Sequence, residues 1–120
     1  MATINPTFTG FPSTLMERRC NLVTWETLTS TNAVGAAIQM GGFADRTVHI
    51  TGTFGSATVV IQGSNNGTDW VTLADPQGNA LSKTAAAIES ILELTRYLRV
   101  STSGGDGTQD IDVLLFMRAS

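Results

Sequence analysis

The chain has 120 residues, 42% hydrophobic and 14% charged, with a net charge of −3 and an isoelectric point near 4.8. That length predicts one domain with a hydrophobic core that needs no disulfide staples. The acidic balance leaves no basic field for nucleic acid, the single Cys20 excludes an intrachain disulfide and fits a reducing compartment, and no apolar run approaches the ~20 residues of a membrane-spanning helix.

The opening stretch MATINPTFTG lacks the basic and apolar regions of a signal peptide, so a soluble protein made in the cytoplasm is expected. Residues 1–20 show no regular period. Pro6 and Pro12 restrict the backbone, while Phe8, Phe11 and Leu15 make the stretch more apolar than a disordered tail. Two readings stand: a tail packed on its own domain, or an N-terminal arm (residues 1–20) that leaves a domain of residues 21–120 and docks on another subunit. Arg18-Arg19, the only adjacent basic pair, is either solvated surface or a contact for an acidic partner.

Asn21 to Thr29 reads as a first strand, with Leu22, Thr24, Glu26 and Leu28 on one face and Val23, Trp25 and Thr27 on the other. Apolar groups on both faces predict that one of them meets something beyond the core. Ala33 to Met40 follows, with Val34, Ala36, Ile38 and Met40 inward, then Arg46 to Thr53, with Val48 and Ile50 inward and Thr47, His49 and Thr51 outward. Ala57 to Ala74 is the clearest unit, a hairpin whose arms alternate around Asn66-Gly67. Asn and Gly take φ > 0 at least cost, which a tight hairpin turn requires. Trp70, the largest apolar surface of the hairpin, is expected at the centre of the core, because a buried aromatic removes roughly 150–250 Å² from water.

Asp75-Pro76-Gln77-Gly78-Asn79 is a turn by its local chemistry, and Ala80 to Thr84 a short strand. Ala85 to Leu94 has two periods: Leu81, Ala85, Ile88 and Leu92 fit a helix, while Ile88, Ser90, Leu92 and Leu94 alternate. Its Ala, Glu and Leu content favours a short helical turn crossing between strands. Arg96 to Thr102, with Leu98 and Val100 inward and Tyr97 and Arg99 outward, and Asp110 to Arg118, with Ile111, Val113, Leu115 and Met117 in phase, complete the chain. About seven short strands, Gly-rich turns and no βαβ rhythm predict an all-β fold: an antiparallel β-sandwich, Ig-like or jelly-roll-like, with an extended N-terminal arm.

Four stretches carry a resemblance: Gly63 to Trp70, Asp75 to Asn79, Arg96 to Arg99 and Thr102 to Asp110. They match G-S-N-(D or N)-G-T-x-W, D-P-Q-G-N, R-Y-(I, V or L)-R and T-x-G-G-D-G-T-x-D. Over Arg46 to Arg118 the chain thereby resembles a family of small phage proteins similar to virion structural components, some of them capsid decoration or cement proteins.

No catalytic constellation is visible. His49 is the only histidine, flanked on its face by Thr47 and Thr51, and Cys20 has no activating neighbours. One His and one Cys cannot supply a zinc site. Asp106, Asp110 and Asp112 offer the hard oxygens calcium prefers, but GGDGTQDID departs from the calcium repeat and occurs once, so a turn closing a hairpin is favoured. SGGDG lacks the Lys-Ser/Thr ending of a phosphate loop, and Glu89 and Glu93 read as a solvated face.

The expectation is therefore a non-enzymatic virion protein without cofactor or metal. It would sit on the outside of the capsid shell and bind the major capsid protein and its own copies, with no nucleic-acid or membrane partner. Phe8, Phe11 and Leu15 would serve as apolar anchors and Arg18 and Arg19 as polar contacts, with Ile4 to Leu15 bridging neighbouring subunits. The alternative is a carbohydrate-binding or tail-associated β-sandwich module using Trp25, Trp70 and Tyr97.

Overall fold

A computed structural model describes residues 3–10, 20–39 and 41–119, and every regular element among them is a strand. The twelve strands are β1 (Thr3–Ile4), β2 (Thr7–Gly10), β3 (Cys20–Leu28), β4 (Val34–Gly35), β5 (Ile38–Gln39), β6 (Asp45–Thr53), β7 (Thr58–Ser64), β8 (Val71–Thr72), β9 (Ser82–Lys83), β10 (Ala87–Ser90), β11 (Tyr97–Ser103) and β12 (Asp110–Arg118). Sheet I has the order β1-β4-β11-β7-β8, with β5 also on β11 and β9 also on β7; sheet II has the order β10-β6-β12-β3-β2.

β4 and β5 both lie on β11, and β8 and β9 both lie on β7, so each pair acts as one interrupted strand. Setting β1 and β2 aside, the principal strands in chain order are then β3, β4/β5, β6, β7, β8/β9, β10, β11 and β12. The first, last, third and sixth of them form sheet II; the second, seventh, fourth and fifth form sheet I. This is the double Greek key of a jelly roll. The all-β sandwich expected from the sequence is present, in its jelly-roll form, and the interrupted strands raise the count above seven.

The core lies between the sheets. Val23, Trp25, Leu28, Val48, Ile50, Ile111, Val113, Leu115 and Met117 enter from sheet II, and Ile38, Val59, Ile61, Leu98 and Val100 from sheet I, all buried. The alternation read along β6, β7, β11 and β12 predicts the core positions that those four strands contribute.

Four expectations are corrected. Trp70 is not the core tryptophan: it is half-buried at the surface, and Trp25 is fully buried, its Nε1 donating to Ala36 O at 3.0 Å. Leu28 does not share a face with Leu22. The β3–β12 register shifts between Ile111 and Val113, Thr27 takes φ 60°, and this bulge turns Leu28 into the core. Leu22 stays on the outer face, opposite Phe116. Along 33–40 Ile38 is inward as expected, but Gly35 is buried in place of Val34, where a Cβ would lie 2.5 Å from Trp25 Cδ1; Val34 pairs with Ser101, and Met40 lies outside the described residues.

Finally, Ala85 to Leu94 forms no helical turn. Ala87–Ser90 is β10, antiparallel to β6, with Ile88 opposite His49 and Ser90 opposite Thr47. Ile91 N donates to Arg46 O (3.1 Å) and Leu92 N to Ala74 O (2.8 Å), so pairing across the fold overrides the local helix preference.

Residues 3–10 lie in the sheets of the domain itself. β1 runs parallel to β4, β2 antiparallel to β3, and Ala36 N donates to Ile4 O at 2.7 Å. The segment thus passes from an edge of sheet I to an edge of sheet II and covers one side of the sandwich. Phe11, Leu15, Arg18 and Arg19 lie outside the described residues.

Candidate docking surfaces

Opposite that side, the sandwich ends in β8 and β10, the edge strands of sheets I and II. Lys83 and Glu89 bridge the two sheets at 2.9 Å, and Glu93 Oε1 accepts from Ala74 N at 2.9 Å, which fixes the crossing segment that follows β10. Four large apolar side chains are exposed here, Val71 at 66%, Ile88 at 62%, Leu92 at 57% and Leu94 at 52%, among the exposed polar residues Thr72, Ser82 and Ser90. A depression of about 300 Å³ lies beside them, lined in part by Asp45, Thr47, Pro76 and Leu92. The edge of β10 away from β6 has no strand neighbour among the described residues. Of the expected anchors, Phe8 is on β2, opposite Val23 and 52% exposed, at the far edge of sheet II.

A different surface forms on the outer face of sheet I. The loop after β7 is held by two side chains: Ser64 Oγ accepts from Asn66 N (3.2 Å) and Gly67 N (2.9 Å), and Asn66 does the rest. Asn66 Oδ1 accepts from Thr68 N (2.8 Å), Asp69 N (2.9 Å) and Ser64 Oγ (2.9 Å), and Asn66 Nδ2 donates to Asp69 Oδ2 (2.9 Å). Gly67 takes φ 77°. The loop therefore spans more than the two-residue turn that Asn66-Gly67 suggests, and it delivers Trp70 onto Arg99, whose Cζ lies 4.2 Å from the ring centroid. Arg99 Nε donates to Gln62 Oε1 at 2.8 Å. One row along, Arg96 Cζ lies 5.2 Å from the Tyr97 ring centroid, and Gln39, with its amide oxygen turned to the guanidinium, accepts from Arg96 Nη2 (3.0 Å) and Nε (3.1 Å). Asn65 Oδ1 accepts from Arg96 N at 3.0 Å. Two of the stretches that carry the phage resemblance, Gly63 to Trp70 and Arg96 to Arg99, meet here.

The remaining candidates are dispersed. His49 is exposed on the outer face of sheet II, opposite Ile88 and Leu114. Cys20 is half-buried opposite Arg118. Asp106 Oδ1 accepts from Thr108 Oγ1 (2.6 Å) and Thr108 N (3.0 Å), which holds its carboxyl below the usual range, while Asp112 Oδ1 accepts from Thr27 N at 2.9 Å. Among the described residues no three His, Cys, Asp or Glu side chains converge as a metal cage. Trp25 is withdrawn from any ligand by its burial; Trp70 and Tyr97 share one outer face. The sequence places Tyr97 and Arg99 outward but gives no sign that Trp70 stacks on Arg99, because that contact depends on a pairing across the sheet.

No family model matches the chain, and neither does any curated protein. Among solved structures it is similar to the SPBc2 prophage-derived protein YomS, at 13% identity and a TM-score of 0.55 over 82% of this chain and 93% of that one. It is also similar to protein NMB1881 from Neisseria meningitidis, at 7% identity and a TM-score of 0.45 over 99% of this chain and 88% of that one. A protein of the disulfide-linked pili that form Bacillus endospore appendages matches at 14% identity and a TM-score of 0.43, over 99% and 94%. At these identities the first likeness is one of fold, and the other two scores carry no argument.

Proposed function

We propose that the protein is a structural component of a phage particle that docks on the outside of the capsid shell and stabilises it, alongside further copies of itself. One observation carries this reading. Ile88 on β10 and Leu92 and Leu94 just after it are each more than half exposed at the open edge strand of sheet II, and Val71 is exposed on β8, the edge strand of sheet I. Several large apolar side chains exposed along edge strands mark an interaction site, and an open edge offers backbone groups for pairing. The phage resemblance of the sequence and the shared fold with a prophage-derived protein point the same way. Phe8, at the opposite edge, supplies a second apolar contact, with Phe11, Leu15, Arg18 and Arg19 as the arm contacts the sequence suggests. A rigid sandwich held at both edges would tie neighbouring shell subunits together, each weak contact strengthened by the others.

Co-sedimentation with empty shells of the parent phage tests the reading. Saturable binding at a fixed ratio to the shell protein is expected. An Ile88→Asp/Leu92→Asp double variant should bind at least about tenfold more weakly, since each buried aliphatic side chain contributes roughly 1.5–3 kcal/mol, while its thermal unfolding is unchanged. Absence of sedimentation, or undiminished binding by a folded double variant, would exclude the proposed surface.

A further inference from the structure

We propose that the outer face of sheet I is a binding site for an acidic polysaccharide, with uronic-acid carboxylates on Arg96 and Arg99 and sugar rings against Trp70 and Tyr97. The site is separate from the apolar side and stands without the shell-docking reading.

The first argument is charge. Among the described residues, Lys83 is paired with Glu89 and Arg118 with Asp45, and Arg46 is buried with Nε donating to Phe43 O at 2.8 Å. Arg96 and Arg99 form no ion pair among the described residues; both lie over aromatic rings and donate to the uncharged amides Gln39 and Gln62. In a chain of net charge −3, two such cations on one face, with the Asp69 carboxylate of the adjoining loop engaged by Asn66 Nδ2, form a local anion site.

The second is geometry. Stacking fixes the plane of a guanidinium but leaves its N–H edge free, and that edge matches a carboxylate through two parallel hydrogen bonds. Arg99 spends Nε on Gln62, and its two Nη groups make no hydrogen bond among the described residues. The loop caged by Asn66 and the pairing of β7 with β11 hold both stacks before any ligand arrives.

The third is the shape of the surroundings. A flat sheet face has its backbone groups committed to the ladder, whereas peptides are taken up on strand edges or in grooves. Two arginines are too few for a nucleic-acid backbone. Aromatic planes beside amide and hydroxyl groups, here Trp70, Tyr97, Gln62 and Thr72, suit a pyranose, which presents C–H faces and a rim of hydroxyls.

The two tryptophans make the test direct: Trp25 is sealed in the core and Trp70 reports on the site. The protein would be titrated with polygalacturonate, dextran, poly-L-glutamate and oligothymidylate, following tryptophan emission and retardation in affinity gels. Saturable emission change and retardation with polygalacturonate alone are expected. Arg99→Gln and Arg96→Gln should each weaken binding about tenfold, as loss of a charged hydrogen-bonding partner does, while shell co-sedimentation is unaffected. No response to polygalacturonate, or equal binding by an Arg96→Gln/Arg99→Gln variant with unchanged thermal unfolding, would overturn the site. Binding to poly-L-glutamate or oligothymidylate at least as tight as to polygalacturonate would overturn the saccharide as its ligand.

Discussion

Trp25 lies in β3 and Trp70 just before β8, in stretches of similar alternation, yet only Trp25 is fully buried. Trp25→Ala should cost about 3–5 kcal/mol in denaturant unfolding, the range for deleting a buried aromatic, whereas Trp70→Ala should cost under about 1 kcal/mol, as a surface stack does. The choice between them is made by a residue with no side chain. Gly35 leaves the space into which the indole fits, and Gly35→Ala, whose Cβ would come within 2.6 Å of Val100 Cγ1, should destabilise by about 1–3 kcal/mol through overpacking. Neither fact was legible in the sequence, since alternation tells which faces a strand has and not what stands opposite. Asp106 gives a titration at the same scale. Its hydrogen bonds from Thr108 lower its pKa from the ordinary value of about 3.9. The unfolded chain therefore takes up this proton at higher pH than the folded one. The stabilisation is present above the ordinary value and is lost as pH falls through the lower folded value. A carboxyl titration by NMR should place Asp106 below the ordinary range, and Thr108→Val should move it upward.

At the scale of elements, the strands that were legible are those buried on one face along their whole length. β6, β7, β11 and β12 each place apolar residues at every second position through their middles, and these inward sets match the buried ones, even where Val60, Leu114 and Phe116 make the outer phase apolar too. Legibility failed where the period breaks or competes. In β3 the break is the bulge at Thr27, which rotates Leu28 inward. A β-branched residue at φ 60° is strained, and Asn tolerates that conformation better. Thr27→Asn should therefore raise stability by about 0.5–1 kcal/mol, read as a shift in denaturant midpoint with an unchanged m-value. In β10 the break is compositional. Ala, Glu and Leu suit a helix, but the amides of Ile91 and Leu92 find carbonyls on Arg46 and Ala74 instead. The same misjudged stretch holds Ile88, Leu92 and Leu94. Their alternation was visible, but it runs on the exposed phase, opposite to that of Ile91, so the candidate docking side was present in the pattern and hidden by the helical reading.

For the whole molecule, the jelly roll decides when the chain can fold. β12, the last strand, is the middle of sheet II: it pairs with β6 on one side and with β3 on the other. β11 likewise sits between β4/β5 and β7. Each sheet is therefore completed by residues made late, and apart from β2 on β3 and β8 and β9 on β7 the pairings join strands distant in sequence. Loop closure must be met before such contacts repay it, which makes folding slow, on the order of milliseconds to seconds for sandwiches of this size. Removing residues 110–120 would leave β3 and β6 without their shared neighbour and expose Val23, Trp25, Val48 and Ile50. The truncated chain should show no cooperative thermal transition by circular dichroism and no binding to shells, whereas the full chain should refold in one exponential phase. If the truncated chain did melt cooperatively, sheet II would have a core independent of β12, and the rigidity of the closed sandwich would have to come from sheet I alone.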